Sequence, residues 1–370
     1  NFVAGDPNIV IGTGNTVAGN DNWVIVGSEN QVTGNDNFLT LAFENQVTGN
    51  ENIVAFGLQN QVTGNENAVV GAFNQATGNN NLVLGIANQA EGNLNIIAGI
   101  ANQAAGNVNI IGGSLNQSTG NLNLITGDGN QNTGNFNLIT GDGNQNTGNA
   151  NIIDGDRNQV VGNDNDVDGA NNQAVGNFNE VSGGGNQVAG NLNEVNGDAN
   201  QAVGNFNDVD GLLNQTVGNA NEINGNNNFF GGNNNSTTGN SNIFIGQGNT
   251  PANSNNNTII GDNNTNVTSN GNNIIGNQNA VGGGNNNNVL GDGNTVDGAR
   301  NVTIGQNGTA TGDDTVVIGT GAEANGDGNV AVGRNSAATG ADTVAVGDGA
   351  EATGNNATAL GDGSSALGDD

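Results

Sequence analysis

The sequence predicts an all-β fold, a single-stack β-solenoid or parallel β-roll with fourteen-residue coils, and three observations carry that prediction. Glycine returns every seven residues without a break from Gly64 to Gly246, and again from Gly298 to Gly368. Alternate heptads differ: one reads Gly-x-x-Asn-Gln-x-x, as in GIANQAE, and the next Gly-Asn-x-Asn-x-Ile-x, as in GNLNIIA, so the true unit is two heptads. Counted from the glycine of the second heptad, the fifth position is aliphatic in unit after unit, from Ile97 and Ile111 to Val209 and Ile223.

A helix is excluded because Gly and Asn are poor helix formers, and an interior Gly costs about 1 kcal/mol relative to Ala. A coiled coil needs two apolar seams per heptad, whereas here one fixed site is glycine. Two short strands and two glycine turns per unit remain. In such a coil, residues fourteen apart stack at the inter-strand spacing of ~4.8 Å, so columns read directly from the sequence. The aliphatic fifth position is the core. The third position is Asn in both heptads (Asn88, Asn102 and Asn116; Asn95, Asn109 and Asn123), and Gln75, Gln89, Gln103, Gln117, Gln131 and Gln145 form a neighbouring column. Stacked amides hydrogen-bond to their own copies one coil away, as in cross-β ladders.

Three segments follow along the chain. Residues 1–246 are an Asn/Gln/Gly-rich solenoid whose first coils carry single-residue insertions, since NQVTGN begins at 30, 45 and 60 before the period settles to fourteen. Residues 247–297 break the rhythm and read as an irregular segment, a bend, loop or boundary. Residues 298–370 return to the glycine frame with Ser and Ala where Asn stood.

Composition narrows the function. The 370 residues carry a formal charge of -31, with Arg157, Arg300 and Arg334 as the only basic side chains, which argues against nucleic acid and anionic lipid as partners. Cys, His, Tyr, Met and Lys are absent, which removes disulfides, thiolate metal sites and the usual bases and Schiff-base nucleophiles. The chain reads as a non-enzyme that requires no cofactor. No apolar run approaches the ~20 residues of a membrane span, and the opening NFVAGDPNIVIG, already inside the repeat, reads as an excised segment of an exported protein.

Strand alternation turns the fourth position outward. That column reads Trp23, Phe38, Ile53, Ala68, Leu82, Ile96, Ile110, Leu124, Leu138 and Ile152, then switches to Asp166, Glu180, Glu194, Asp208 and Glu222. Leu94, Val108, Leu122 and Phe136, two residues earlier, widen the apolar half. An exposed stripe of that length is read as an oligomer or partner interface; the competing reading tucks it under a local loop. The acidic half, with Asp168 and Asp210 beside it, is read as a weak divalent-cation site suited to Ca²⁺, against the simpler reading of a solvated, salt-screened face.

The C-terminal segment resembles the head repeats of trimeric autotransporter adhesins. The matching phrases are NVAVG (329–333), SAATG (336–340), TVAVG (343–347), AEATG (350–354) and ATALG (357–361), and the close match covers residues 298–368. Elsewhere only the period is shared. The resemblance implies a parallel β-roll wound as a homotrimer, an extracellular position on a cell surface, and adhesion to host matrix or neighbouring cells. The functional reading is thus a rigid structural or adhesive module whose first partner is itself. Two alternatives stand beside it: a subunit of a self-assembling surface filament, and an ice-binding solenoid. Ice binding would use a flat Thr array, which Thr33, Thr48, Thr63 and Thr77 begin, Glu91 and Ala105 interrupt, and Thr119, Thr133 and Thr147 resume.

Overall fold

The computed structural model describes residues 1–250, 253–266 and 269–368. Pro251, Ala252, Val267 and Thr268, inside the segment read as irregular, lie outside the described residues, as do Asp369 and Asp370 at the end of the head-like segment. The chain forms two compact units, Asn1–Gly184 and Gly185–Asp370. Both are parallel β-solenoid, about 26 coils in all, and no helix occurs among the described residues.

In the first unit each coil contributes one strand to each of two parallel sheets. The glutamine sheet holds strands such as Gln31–Thr33, Gln75–Thr77 and Gln117–Thr119. The aliphatic sheet holds Ile53–Leu58, Ile96–Ile100 and Ile110–Ser114. Register follows the sequence period: Ile96 pairs with Ile110 and Gln103 with Gln117, fourteen residues on. The core between the sheets is two columns wide. Val69, Val83, Ile97, Ile111, Ile125, Ile139 and Ile153 come from one side, and Val62, Ala76, Ala90 and Ala104 from the other, all buried. From Ile97 to Ile111 the large side chains of one sheet stand with the small Ala90 and Ala104 of the other in the buried core.

The two buried Asn columns are more than self-stacking amides. The Oδ1 of Asn81 accepts both the backbone N–H (3.0 Å) and the Nδ2–H (3.1 Å) of Asn95, whose Nδ2 also donates to the carbonyl of Gly106 (2.9 Å). Each Asn therefore ties a coil to its neighbours and satisfies buried backbone groups at the turn, where an orphan would be expensive. A third ladder runs on the outside with opposite polarity, Asn93 donating through N and Nδ2 to Oδ1 of Asn107 (3.0 Å each). The glutamine column is looser: hydrogen bonds join Gln159 to Gln145 (3.5 Å) and Gln173 to Gln159 (3.1 Å), all on exposed side chains.

Glycine is dictated by stacking as well as by conformation. Gly113 has φ 111°, and a Cβ built there would lie 1.9 Å from the carbonyl oxygen of Gly127 on the next coil. Two residues past each turn glycine the chain takes a left-handed conformation whatever the side chain, as at Leu94 (φ 59°) and Phe136 (φ 61°). The early insertions are bulges in the aliphatic sheet. Val26, Leu41 and Phe56 each add one left-handed residue just before the turn, and the register shifts there while the coil remains closed.

The second unit keeps both sheets but exchanges their contents. Gln215 pairs with Phe229 and Thr216 with Phe230, so the bulky heptad moves onto the sheet that had carried glutamine, while Ile223 on the other sheet pairs with Thr237. Phe230 and Phe244 stack in the core with ring centroids 4.7 Å apart. The described part of 247–297 remains solenoid: Ile245, Ile260, Ile275 and Leu290 pair in turn at fifteen-residue spacing. From residue 298 the core shrinks to columns such as Ala310, Ala324 and Ala338 facing Val317, Ala331 and Ala345. There Thr315 and Thr343 alternate with Asn301 and Asn329 in one ladder, each Thr Oγ1 donating to the Asn Oδ1 one coil back (2.7 and 2.8 Å).

Candidate functional site: the outer faces and a polar corner

Alternation along the aliphatic sheet places the predicted fourth-position residues outside, as the sequence required. Trp23, Ile53, Ile96, Ile110, Leu124 and Ile152 are exposed, and Phe38, Leu82 and Leu138 half-buried. Trp23 and Phe38 lie with ring centroids 6.3 Å apart. No loop covers the column, because both turns of each coil are tight. Leu94, Val108, Leu122 and Phe136 stand at the turn on the same edge, so two adjacent columns of the first unit form one apolar surface. Left-handed backbone costs a non-glycine residue roughly 1–2 kcal/mol, and Asp21, Asp36 and Asn80 show the residue types that fit the same position more easily.

The acidic residues fall in both units and are described separately. In the first, Asp166 and Glu180 are paired neighbours on the aliphatic sheet, with Asp168 two residues along. In the second, Glu194 pairs with Asp208 and Asp208 with Glu222. Partial burial, and then the charges of Glu194, Glu222 and Asp210, hold the Asp208 carboxyl above the usual carboxylate range. Among the described residues no group of three carboxylates is placed to hold a metal ion. The donors stand one or two to a coil along the sheet.

Several features were not read from the sequence. Asp128, Asp142 and Asp156 form a carboxylate ladder at a turn, the backbone N–H of Asp128 donating to Asp142 (2.7 Å) and that of Asp142 to Asp156 (2.8 Å). Asn132 and Asn146 occupy core positions of the glutamine sheet, joined by a 2.7 Å hydrogen bond with Asn151 donating to Asn146 (2.9 Å). The NQNTG phrase signalled them, since it puts Asn where the neighbouring coils have Ser118 and Val160. In the second unit, Arg300 makes a paired contact with Asp314 (2.6 and 2.7 Å), and Arg334 pairs with Asp348.

On the glutamine sheet, Thr33, Thr48, Thr63 and Thr77 are exposed in one column beside the exposed glutamines. The corner where this sheet meets its turn forms an open polar groove of about 540 Å³ lined by Glu29, Gln31, Glu44, Gln46, Gln59, Gln61, Phe73 and Gln75.

Comparison with known proteins finds two family models. Residues 3–99 match the grass antifreeze β-roll, and residues 310–336 and 338–364 match two copies of the YadA head domain repeat. No curated protein matches the chain. The C-terminal segment therefore carries adhesin-type head repeats, inside the 298–368 span that its NVAVG and SAATG phrases had marked.

Proposed function

We propose that this protein works outside the cell as a rigid β-solenoid that associates with copies of itself, as a homotrimer, and mediates attachment to a host, matrix or neighbouring-cell surface. The observation that supports self-association is the uncovered apolar surface of the first unit, where Ile96, Ile110 and Leu124 lie beside Leu94, Val108 and Leu122. Head repeats in the second unit support the surface role. Burying such a surface between subunits contributes about 25 cal/mol per Å² of apolar area, and it also removes an aggregation hazard. The direct test replaces Ile110 and Leu124 together by Asp and measures mass in solution. The expected result is release of monomers or aggregation; an unchanged mass and melting temperature would remove this surface from the interface. Assembly of the same chains into an open filament is the other form this reading can take, and negative-stain images separate the two.

A second reading, ice binding, is favoured by the antifreeze β-roll match over residues 3–99 together with the exposed column Thr33, Thr48, Thr63 and Thr77. Under it, the chain shows thermal hysteresis, and Thr48→Lys with Thr63→Lys abolishes it. Absence of hysteresis in the parent would dispose of this reading and leave the first intact.

A further inference from the structure

The groove on the corner of the glutamine sheet is built across four coils. Two columns make its walls. The strand column is Gln31, Gln46, Gln61 and Gln75; the turn column is Glu29, Glu44, Gln59 and Phe73. The turn column is Gly14 on one side of this stretch and Ala87 on the other, so the long wall begins and ends within it. All four wall residues are left-handed, with φ between 53° and 60°.

We infer that this groove binds a linear, uncharged, hydroxyl-rich glycan. Its volume of about 540 Å³ lies within the usual range for a ligand cleft. Its walls offer what sugar hydroxyls need: carboxylates that only accept, and amides that both donate and accept. Among the described residues neither the Glu29 nor the Glu44 carboxylate makes an ion pair. One hydrogen bond spans the wall, from Gln59 Nε2 to Glu44 Oε2 (2.6 Å). Phe73, half exposed, closes one end with an apolar ring suited to the C–H face of a sugar. Side chains repeat along each wall at the coil rise of ~4.8 Å, close to the length of one sugar ring, so successive rings of an extended chain each meet one glutamine of the strand column. The two carboxylates and the overall charge of -31 repel uronic, sialylated or sulfated glycans.

This inference gives the adhesive reading a ligand and rests on it for biological use, but its test is separate. Isothermal titration of the full chain with cellohexaose, laminarihexaose and chitohexaose, against hexagalacturonate, in EDTA, reads it directly. At least one neutral hexasaccharide binds, hexagalacturonate does not, and Phe73→Ala and Glu44→Ala each weaken binding about tenfold, the loss of one ring contact or one charged hydrogen bond. Gln145→Ala, on the same sheet outside the groove, leaves binding unchanged. No binding of any neutral sugar, equal binding of the acidic one, binding that needs Ca²⁺ instead of surviving EDTA, or insensitivity to both groove variants would each overturn it. Light scattering on the same variants shows the parent mass, so a failure here leaves the self-association of the chain untouched.

Discussion

Two adjacent glycines in one strand, Gly112 and Gly113, test the packing of the solenoid in a single pair of variants. Gly113 has φ 111°, and an added Cβ would meet the carbonyl oxygen of Gly127 at 1.9 Å and its carbon at 2.8 Å. Backbone in that region costs an L-residue on the order of 1–3 kcal/mol. The overlap must also lift one coil from the next at this point. Lifting it strains the 2.6 Å bond from buried Asn116 Nδ2 to the Gly127 carbonyl, a loss of roughly 1–3 kcal/mol if the amide is left without that partner. Gly113→Ala should therefore destabilise by about 4 kcal/mol. Gly112 has ordinary φ and no atom within 4 Å of its added Cβ, so Gly112→Ala should be neutral or stabilising by up to about 1 kcal/mol. The chain already contains the exception that supports the rule: Ala42 occupies a turn-glycine site where Leu41, inserted before it, has taken the left-handed conformation (φ 47°). Denaturant midpoints, with hydrogen exchange at the amides of Gln117 and Gly129, which bond across this junction to Asn130 O and Ser114 O, measure the difference. In a repeat fold the loss is local, so these amides lose protection first. Equal stability and equal exchange in the two variants would refute the stacking argument.

Three further outcomes follow from the same geometry. Asn109→Ala removes the acceptor of the Asn123 backbone N–H and the donor to Gly120 O, and should cost roughly 2–4 kcal/mol in denaturation midpoint. Because the folded chain holds the Asp208 proton more tightly than the unfolded chain does, this group's stabilisation is present below the ordinary Asp pKa of about 3.9 and is lost as pH rises through the raised folded value. Asp208→Asn should thus raise the melting temperature at pH 7 and leave it unchanged at pH 3. If the stacked carboxylates of Glu194, Asp208 and Glu222 collect Ca²⁺, CaCl₂ should raise the melting temperature more than NaCl of equal ionic strength, and Glu194→Gln with Asp208→Asn should remove the difference; equal rises would show screening alone.

The coil was legible because a solenoid translates sequence period directly into space. The Ile97-to-Ile223 column, the Asn columns and the outward fourth position all follow from alternation and a fixed period. Features that depend on three-dimensional closeness were hidden. The reason for glycine at position 113 is a carbonyl fourteen residues away, which a local reading of turn preference does not see. Leu94 and Phe136 adopt left-handed backbone against their own preference because the closing of the coil imposes it. The exchange of bulky residues between sheets at Phe229 and Phe230 leaves the glycine period untouched, so only the pairing with Gln215 and Thr216 reveals it. The polar groove needs two columns that are two residues apart in sequence to be seen as facing walls, and the NQVTGN phrases of the early coils were read only as repeats.

The claim on which the functional account turns is that the apolar surface of the first unit is covered by copies of the same chain. Multi-angle light scattering of the purified chain across a hundredfold range of concentration measures this most directly. The account predicts a stable mass three times the 36.7 kDa of one chain, falling to a single chain or to aggregates when Ile110 and Leu124 are both changed to Asp. A parent that holds a constant mass of one chain throughout that range, with Ile96, Ile110 and Leu124 left open to water, would contradict it.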